Sequence, residues 1–247
     1  MLRDHPTGNY RFIPGITAFS SGVIAMPGYQ IVHATLGAPR PWRAGFQVID
    51  AHLREQSRGR TALCGIELRS PAPFTFDGFA KFNEGYRALL GEWGILVGDD
   101  NPIPRTNVAP VYVPPAEPSL YAFAYTMPGA TSSPTFVVAG AGEMGDRGRG
   151  ADGIVRNGET SPDAMKEKAH FVMGIMQERM RALDADWTRA TTIDVYTAQP
   201  IFGFLEDILR PAGPAAIHGL RWFPSRPPIQ GLEFEVDLRG VARELVL

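Results

Sequence analysis

The sequence predicts an α/β (α+β) fold in which a mixed β-sheet, with two helices packed on one face, occurs twice in tandem. Three observations predict it. The order strand, helix, strand, helix, strand, strand runs through residues 29–126 and again through residues 135–242. Apolar residues recur at helical spacing at the matching place in each run, and short apolar or alternating segments flank them. Between the runs lies Met127-Pro-Gly-Ala-Thr-Ser-Ser-Pro134, a small, turn-prone connection. Such internal repetition outranks any single motif as a guide to architecture.

The first run opens with the strand Tyr29–Leu36 and an amphipathic stretch from Trp42 to Gln56, where Trp42, Phe46, Ile49 and Leu53 share one face. The strand-like Thr61–Leu68 follows, then a second helical stretch, Phe76–Leu90, and the closing strands within Pro104–Pro114 and Ser119–Thr126. The second run repeats this with the apolar Thr135–Glu143, the helix Asp163–Leu183, and the strand Ala190–Thr197. It ends with the shorter helical Ile201–Leu209, then Ala215–Pro224 and Leu232–Ala242 as strands. Strand–helix–strand units of this kind make parallel, right-handed crossovers. The methionine stripe Met165, Met176, Met180 reads as helix core, since methionine fills gaps on buried faces. A chain of 247 residues therefore divides into domains 1–129 and 130–247, each near the commonest domain size of about 100–150 residues. A sheet with helices on one face leaves its other face to be covered, either by oligomerisation, with a homotrimer the first expectation, or by the second repeat.

Composition narrows the function classes. The formal net charge is −2, so no basic excess draws in nucleic acid. No run of about 18 apolar residues is present to span a membrane. The polar start MLRDHPTGNY lacks the apolar centre of a signal peptide. The single cysteine, Cys64, admits no intramolecular disulfide. It lies in an apolar strand and reads as buried and inert. A soluble, cytoplasmic protein acting on a small molecule is expected.

Gly140-Ala-Gly-Glu-Met-Gly145 fits the dinucleotide pattern G-x-G-x-x-G after a strand. That pattern needs a helix to begin within the glycines, whereas loop composition continues to about Ser161. No metal-ligand spacing stands out either, so no cofactor and no metal are expected. Arg147, Arg149 and Arg156 sit in the same glycine-rich stretch, either as a solvated loop or as a lid over a distal carboxylate.

Specific motifs add a family. Phe79–Leu90, with its phenylalanine, asparagine and tyrosine spacing, and Pro104-Arg-Thr-Asn-Val108 resemble the second helix and the arginine signature of the RidA/YjgF family. Thr135–Glu143 and Leu232–Leu238 resemble its small-Gly-Gln strand and its Glu-apolar-Glu strand. The resemblance covers most of the chain. It implies a tandem pair of RidA/chorismate-mutase-like units and an enamine/imine deaminase with sites in clefts between domains. The fused, long-chain form is similar to the 2-aminomuconate (and chloro-substituted 2-aminomuconate) deaminase type. The implied substrate is thus a small unsaturated amino-carboxylic acid, hydrolysed to ammonia and a 2-hydroxymuconate or 2-oxo acid. A chorismatase-like hydrolase and a non-catalytic binding protein on the same scaffold are the alternatives.

The two halves depart from the family pattern in complementary ways. The second half has Ala216, Ile217 and His218 in place of the arginine, and Glu206 in place of the helix asparagine. The first half keeps Asn83 and Arg105 but has Ser119–Ala122 and Val32–Thr35 where the acidic and small-Gly-Gln elements belong. One composite site reconciles both losses: Arg105 to hold a carboxylate through paired charged hydrogen bonds, and Glu233 to orient water and move its proton. Glu233 and Glu235 are two apart, hence on one face of a strand, and Glu233 is the one the resemblance selects. Asn83, Gly142, Glu143, His33 and His218 complete the expected substrate contacts. Each has a plainer reading, as a surface arginine, a solvated acidic face or a structural histidine.

Overall fold

The computed structural model describes residues 1–145 and 150–247. The chain opens with three short antiparallel strands, β1 (Arg3–His5), β2 (Tyr10–Ile13) and β3 (Gly22–Ala25). The first run then gives β4 (Tyr29–Pro41), α1 (Trp42–Glu55), β5 (Leu63–Arg69), α2 (Phe76–Glu92), β6 (Arg105–Pro110) and β7 (Ser119–Pro128). The second gives β8 (Phe136–Gly142), α3 (Pro162–Ala182), β9 (Thr192–Tyr196), α4 (Leu205–Ala212) and β10 (Arg221–Phe223). After the two-residue β11 (Ser225–Arg226) come β12 (Glu235–Gly240) and β13 (Arg243–Val246).

Local chemistry sets the helix ends. Thr75 accepts a hydrogen bond from the Gly78 amide (3.1 Å) ahead of α2. Ser161 does the same from Ala164 (3.3 Å) ahead of α3, where Pro162 occupies a first-turn position that lacks a helical acceptor anyway. Arg179 and Arg181 lie in the last turn of α3, favourable to its dipole. The stretches expected at 42–56 and 163–183 are α1 and α3.

Two mixed sheets result. One has the order β11-β6-β5-β7-β4-β13, the other β1-β2-β3-β8-β12-β9-β10. In each run the third, second, fourth and first strands lie side by side, with the third parallel to the second and the other pairs antiparallel. Two exchanges cross the halves: β1–β3 extend the second sheet through β3–β8, and β11 and β13 border the first through β6 and β4.

The layers follow from which residues each face buries. Phe46, Ile49 and Leu53 of α1 pack with Tyr86 and Leu90 of α2 against Ile66, Leu68 and Phe123. Met165, Ala169, Val172, Met176 and Met180 of α3 pack with Ile208 of α4 against Val138, Val195, Val236 and Leu238, so the methionine stripe is core. The remaining faces meet each other. Tyr10, Phe12, Val23 and Ala25 of the second sheet close on Ile31, Cys64 and Ala124 of the first. Cys64 is fully buried there, and burial pushes its thiol up, so it is inert. Each sheet's non-helical face is thus covered within the chain, the second of the two possibilities the sequence left open. Among the described residues no helix is long and apolar enough to cross a membrane.

Segment 215–218, expected as part of a strand, is a 3-10 turn spanning Gly213–His218. Pro211 inside α4 and Gly213 at φ 51° break the helix there and turn the chain before a strand can begin.

Candidate active site

A cavity of about 220 Å³ lies between the two sheets. Its polar wall is Arg105 and Asn107 of β6, Glu235 of β12 and Arg179 of α3, so both halves contribute. Phe19, Phe79, Met144, Ile175, Ile229 and Leu232 supply apolar wall, and Gly140–Gly142 of β8 the floor.

Arg105 and Asn107 share a face because they are two apart on a strand. The Arg105 guanidinium lies 4.7 Å from the Tyr86 ring centroid and 5.0–5.5 Å from those of Phe19, Phe79 and Phe82, an aromatic enclosure that suits a weakly hydrated planar cation. Its Nη2 donates to Asn83 Oδ1 (2.6 Å), which fixes the fork from the α2 side. The side chain is only 3% exposed. Burial draws its pKa down to about 10, with Tyr86 and Glu235 acting the other way, so it stays charged at neutral pH. Its Nη1 and the Asn107 Nδ2 are buried with no acceptor among the described residues, while Asn107 Oδ1 accepts from Ser70 (2.9 Å). A buried donor left unpaired costs roughly 1–3 kcal/mol; two of them on one cavity suit an anionic ligand.

Glu235 is 3% exposed. Burial pushes its carboxyl well above the ordinary range, helped by the acidic Asp237 and Glu143 and opposed by Arg179 and Arg69. The shift favours the protonated form, which can donate a proton. Gly140 makes room for the side chain, since a Cβ there would collide with Glu235 Oε1. This accounts for the first glycine of the G-x-G-x-x-G run: it clears space for a carboxyl, while α3 begins only at Pro162.

Beside the cavity, a second set of charges ties the sheets together. His33 bonds Glu67 (2.8 Å), Arg239 bonds Asp194 (2.8 Å), Arg221 bonds Asp194 (2.6 Å), and Thr106 and Tyr196 both donate to Asp237 (2.5 and 3.0 Å). Burial raises the Glu67 carboxyl, but the hydrogen bond from His33 and the charges of His33, Arg69 and Arg239 outweigh it and hold it well below the ordinary range. Oxygens of Glu67, Asp194 and Asp237 converge within 4.8 Å. Arginine, histidine, tyrosine and threonine donors already occupy these carboxylates, as in an ion-pair network rather than a metal cage.

The expected residues distribute as follows. Arg105 and Gly142 line the cavity, and Asn83 stands behind Arg105. Glu233 does not line it: β12 starts only at Glu235, so the strand alternation that would give the two glutamates one face does not reach residue 233. The Glu233 carboxylate instead accepts from Gln199 Nε2 (3.1 Å). Glu143 is fully buried, paired with Lys168 (3.0 Å), and accepts from the amides of Glu233 and Phe234 (2.7 and 3.1 Å). It thereby fixes the approach to β12 and is not part of the cavity lining. His33 belongs to the inter-sheet network, and His218 is exposed at the end of its 3-10 turn, away from the cavity. Arg156 is engaged with Glu159, Asp163 and Glu167 on the surface; Arg147 and Arg149 lie outside the described residues. Arg179 and Asn107 were not anticipated. Arg179 sits among the polar positions of an amphipathic helix, where no local pattern distinguishes it.

The Glu143–Lys168 pair carries a stability prediction. Lys168→Ala leaves a buried carboxylate without its counter-charge, and breaking a buried pair this way costs about 3–5 kcal/mol. Urea unfolding is expected to show a loss of that size; a loss below about 1 kcal/mol would mean that the pair does not hold the β12 approach.

Fold and site together define a class, a two-sheet α/β protein with a cation-lined cavity built from both halves. A solved chorismatase has this fold: the likeness covers 90% of this chain and 77% of that one, with a TM-score of 0.53 at 13% identity. The chain belongs to the family described as 2-aminomuconate deaminase CnbZ, which it matches over residues 2–245. A 2-amino-5-chloromuconate deaminase of Comamonas testosteroni is 41% identical over 245 residues, covering 97% of this chain and 96% of that protein.

Proposed function

We propose that this protein hydrolytically deaminates 2-aminomuconate or a chloro-substituted analogue, releasing ammonia and a 2-oxo acid (or its 2-hydroxymuconate tautomer). The observation that carries the reading is the cavity that brings Arg105 from one half against Glu235 from the other. Membership of the deaminase family supports the same reaction class. Arg105, with Asn107, holds the carboxylate next to the amino-bearing carbon through charge-assisted hydrogen bonds. Glu235, as the acid, protonates the enamine at carbon and leaves an iminium ion. The resulting carboxylate takes a proton from water as its oxygen bonds to the iminium carbon. The same group then protonates the amine of the tetrahedral intermediate; ammonia leaves, and the hydroxyl proton returns to Glu235 as the carbonyl forms. Holding the reacting carbon against one carboxyl provides the proximity on which these transfers depend.

The repeated strand order supports descent of the two halves, 1–129 and 130–247, from one duplicated RidA-like unit, with the edge strands exchanged afterwards. In that reading the loss of one signature from each half is a division of labour within a single composite site. Ammonia release from freshly generated 2-aminomuconate, followed together with the loss of its diene absorbance, tests the activity. Stoichiometric ammonia is expected; loss of absorbance without ammonia would assign a different reaction to this cavity.

A further inference from the structure

The cavity contains more positive charge than one substrate carboxylate requires. Arg105 stands on β6, and a second guanidinium, that of Arg179, reaches the same space from α3. Arg179 Nη1 donates to the backbone carbonyls of Ala139 (2.9 Å) and Gly140 (3.4 Å), which hold it on the floor of β8. Among the described residues neither arginine has a carboxylate within ion-pair distance, although eight other arginines there do. Arg179 also borders the open groove of about 920 Å³ that runs along α3 past His170 and Phe171. It therefore marks the end of the cavity nearest solvent, while Arg105 is sealed among aromatic rings at the other. Between them Glu235 is the one acidic group in the lining among the described residues.

We propose that Arg179 forms a second carboxylate subsite and is the residue that makes this cavity select dicarboxylates. The inference rests on the deaminase reading for the identity of the substrate, and adds the residue that recognises the end of it remote from the chemistry. A rigid, conjugated six-carbon diacid presents two anionic ends facing apart. Arg105 binds the end beside the reacting carbon, and Arg179 binds the distal end. Two guanidiniums against two carboxylates leave the site balanced, whereas a monocarboxylate leaves Arg179 partly desolvated and unpaired, which penalises the wrong ligand. The rigid fork of Arg179, already held through one nitrogen, suits this work better than an ammonium would.

The test separates binding from turnover. Affinities for muconate (hexadienedioate) and sorbate (hexadienoate), which share a diene skeleton and differ in one carboxylate, are measured by calorimetry for the intact protein, Arg179→Gln and Arg179→Lys. The intact protein is expected to prefer muconate by at least tenfold. Arg179→Gln is expected to lose that preference through weaker muconate binding with sorbate affinity unchanged, and Arg179→Lys to recover it in part. Unchanged sorbate binding shows that the cavity is still formed. Equal loss for both ligands would mean a structural role, and an unchanged muconate affinity would remove the subsite; either overturns the proposal. Arg179-dependent binding of muconate without ammonia release from 2-aminomuconate would instead overturn the deaminase reading and leave the subsite standing.

Discussion

Glu235→Gln is expected to lower turnover by on the order of 10²–10⁴-fold, the range over which a positioned acid–base group contributes. The amide keeps the shape of the side chain above Gly140 and the space it fills, so substrate affinity should change much less than turnover. The pH dependence sharpens the prediction. Burial holds the Glu235 carboxyl well above its ordinary range, so the acid form exists below that raised value and is lost as pH rises through it. Turnover should fall on the alkaline side for this reason, and the glutamine variant should lack that limb. Stability follows the same sign. The folded protein retains a proton that the unfolded chain releases at lower pH, so the contribution present in acid disappears as pH rises through the folded value. Steady-state kinetics and urea midpoints across pH check both arms; an unaltered alkaline limb in Glu235→Gln would assign the acid to another group.

Arg105→Ala is expected to weaken productive binding by at least tenfold. The lost interaction is a charged hydrogen-bonded contact, about 1.5–3 kcal/mol, and about 1.4 kcal/mol corresponds to a factor of ten. Because the carboxylate that Arg105 binds adjoins the reacting carbon, kcat should fall together with the rise in KM. Arg105→Lys should recover little, since an ammonium can neither bond Asn83 and a carboxylate in one plane nor stack as broadly on Tyr86 and Phe79. A variant with wild-type kcat/KM would show that the carboxylate is held elsewhere.

The architecture was legible because periodicity and punctuation agree in this chain. Trp42–Leu53 and Met165–Met180 show their buried faces in sequence, Ser161 marks a helix start, and the repeated order of elements recurs as a repeated strand order. What was not legible is long-range. Nothing local in residues 3–25 says that they extend the second sheet, or in 243–246 that they border the first; both depend on which sheet edge is free once the halves have stacked. At the site, a cavity with Arg105 in its lining and walls from both halves could be anticipated from the complementary losses in the two halves. The choice of glutamate could not, because it depends on where β12 starts, and Glu143 fixes that start from ninety positions upstream through the Glu233 amide. Arg179 escaped for a related reason: its meaning comes from a cavity that β6, β8, β12 and α3 create together.

The central claim is that one site is assembled between the two sheets from both halves of the chain. A crystal structure with bound muconate, which has the diacid skeleton but no amino group to lose, tests it most directly. The account predicts one molecule in the cavity, with a carboxylate on Arg105 Nη1 and Asn107 Nδ2 and the adjoining carbon within reach of Glu235. Muconate seated beside Glu233 and Gln199, or only in the outer groove along α3, would contradict it.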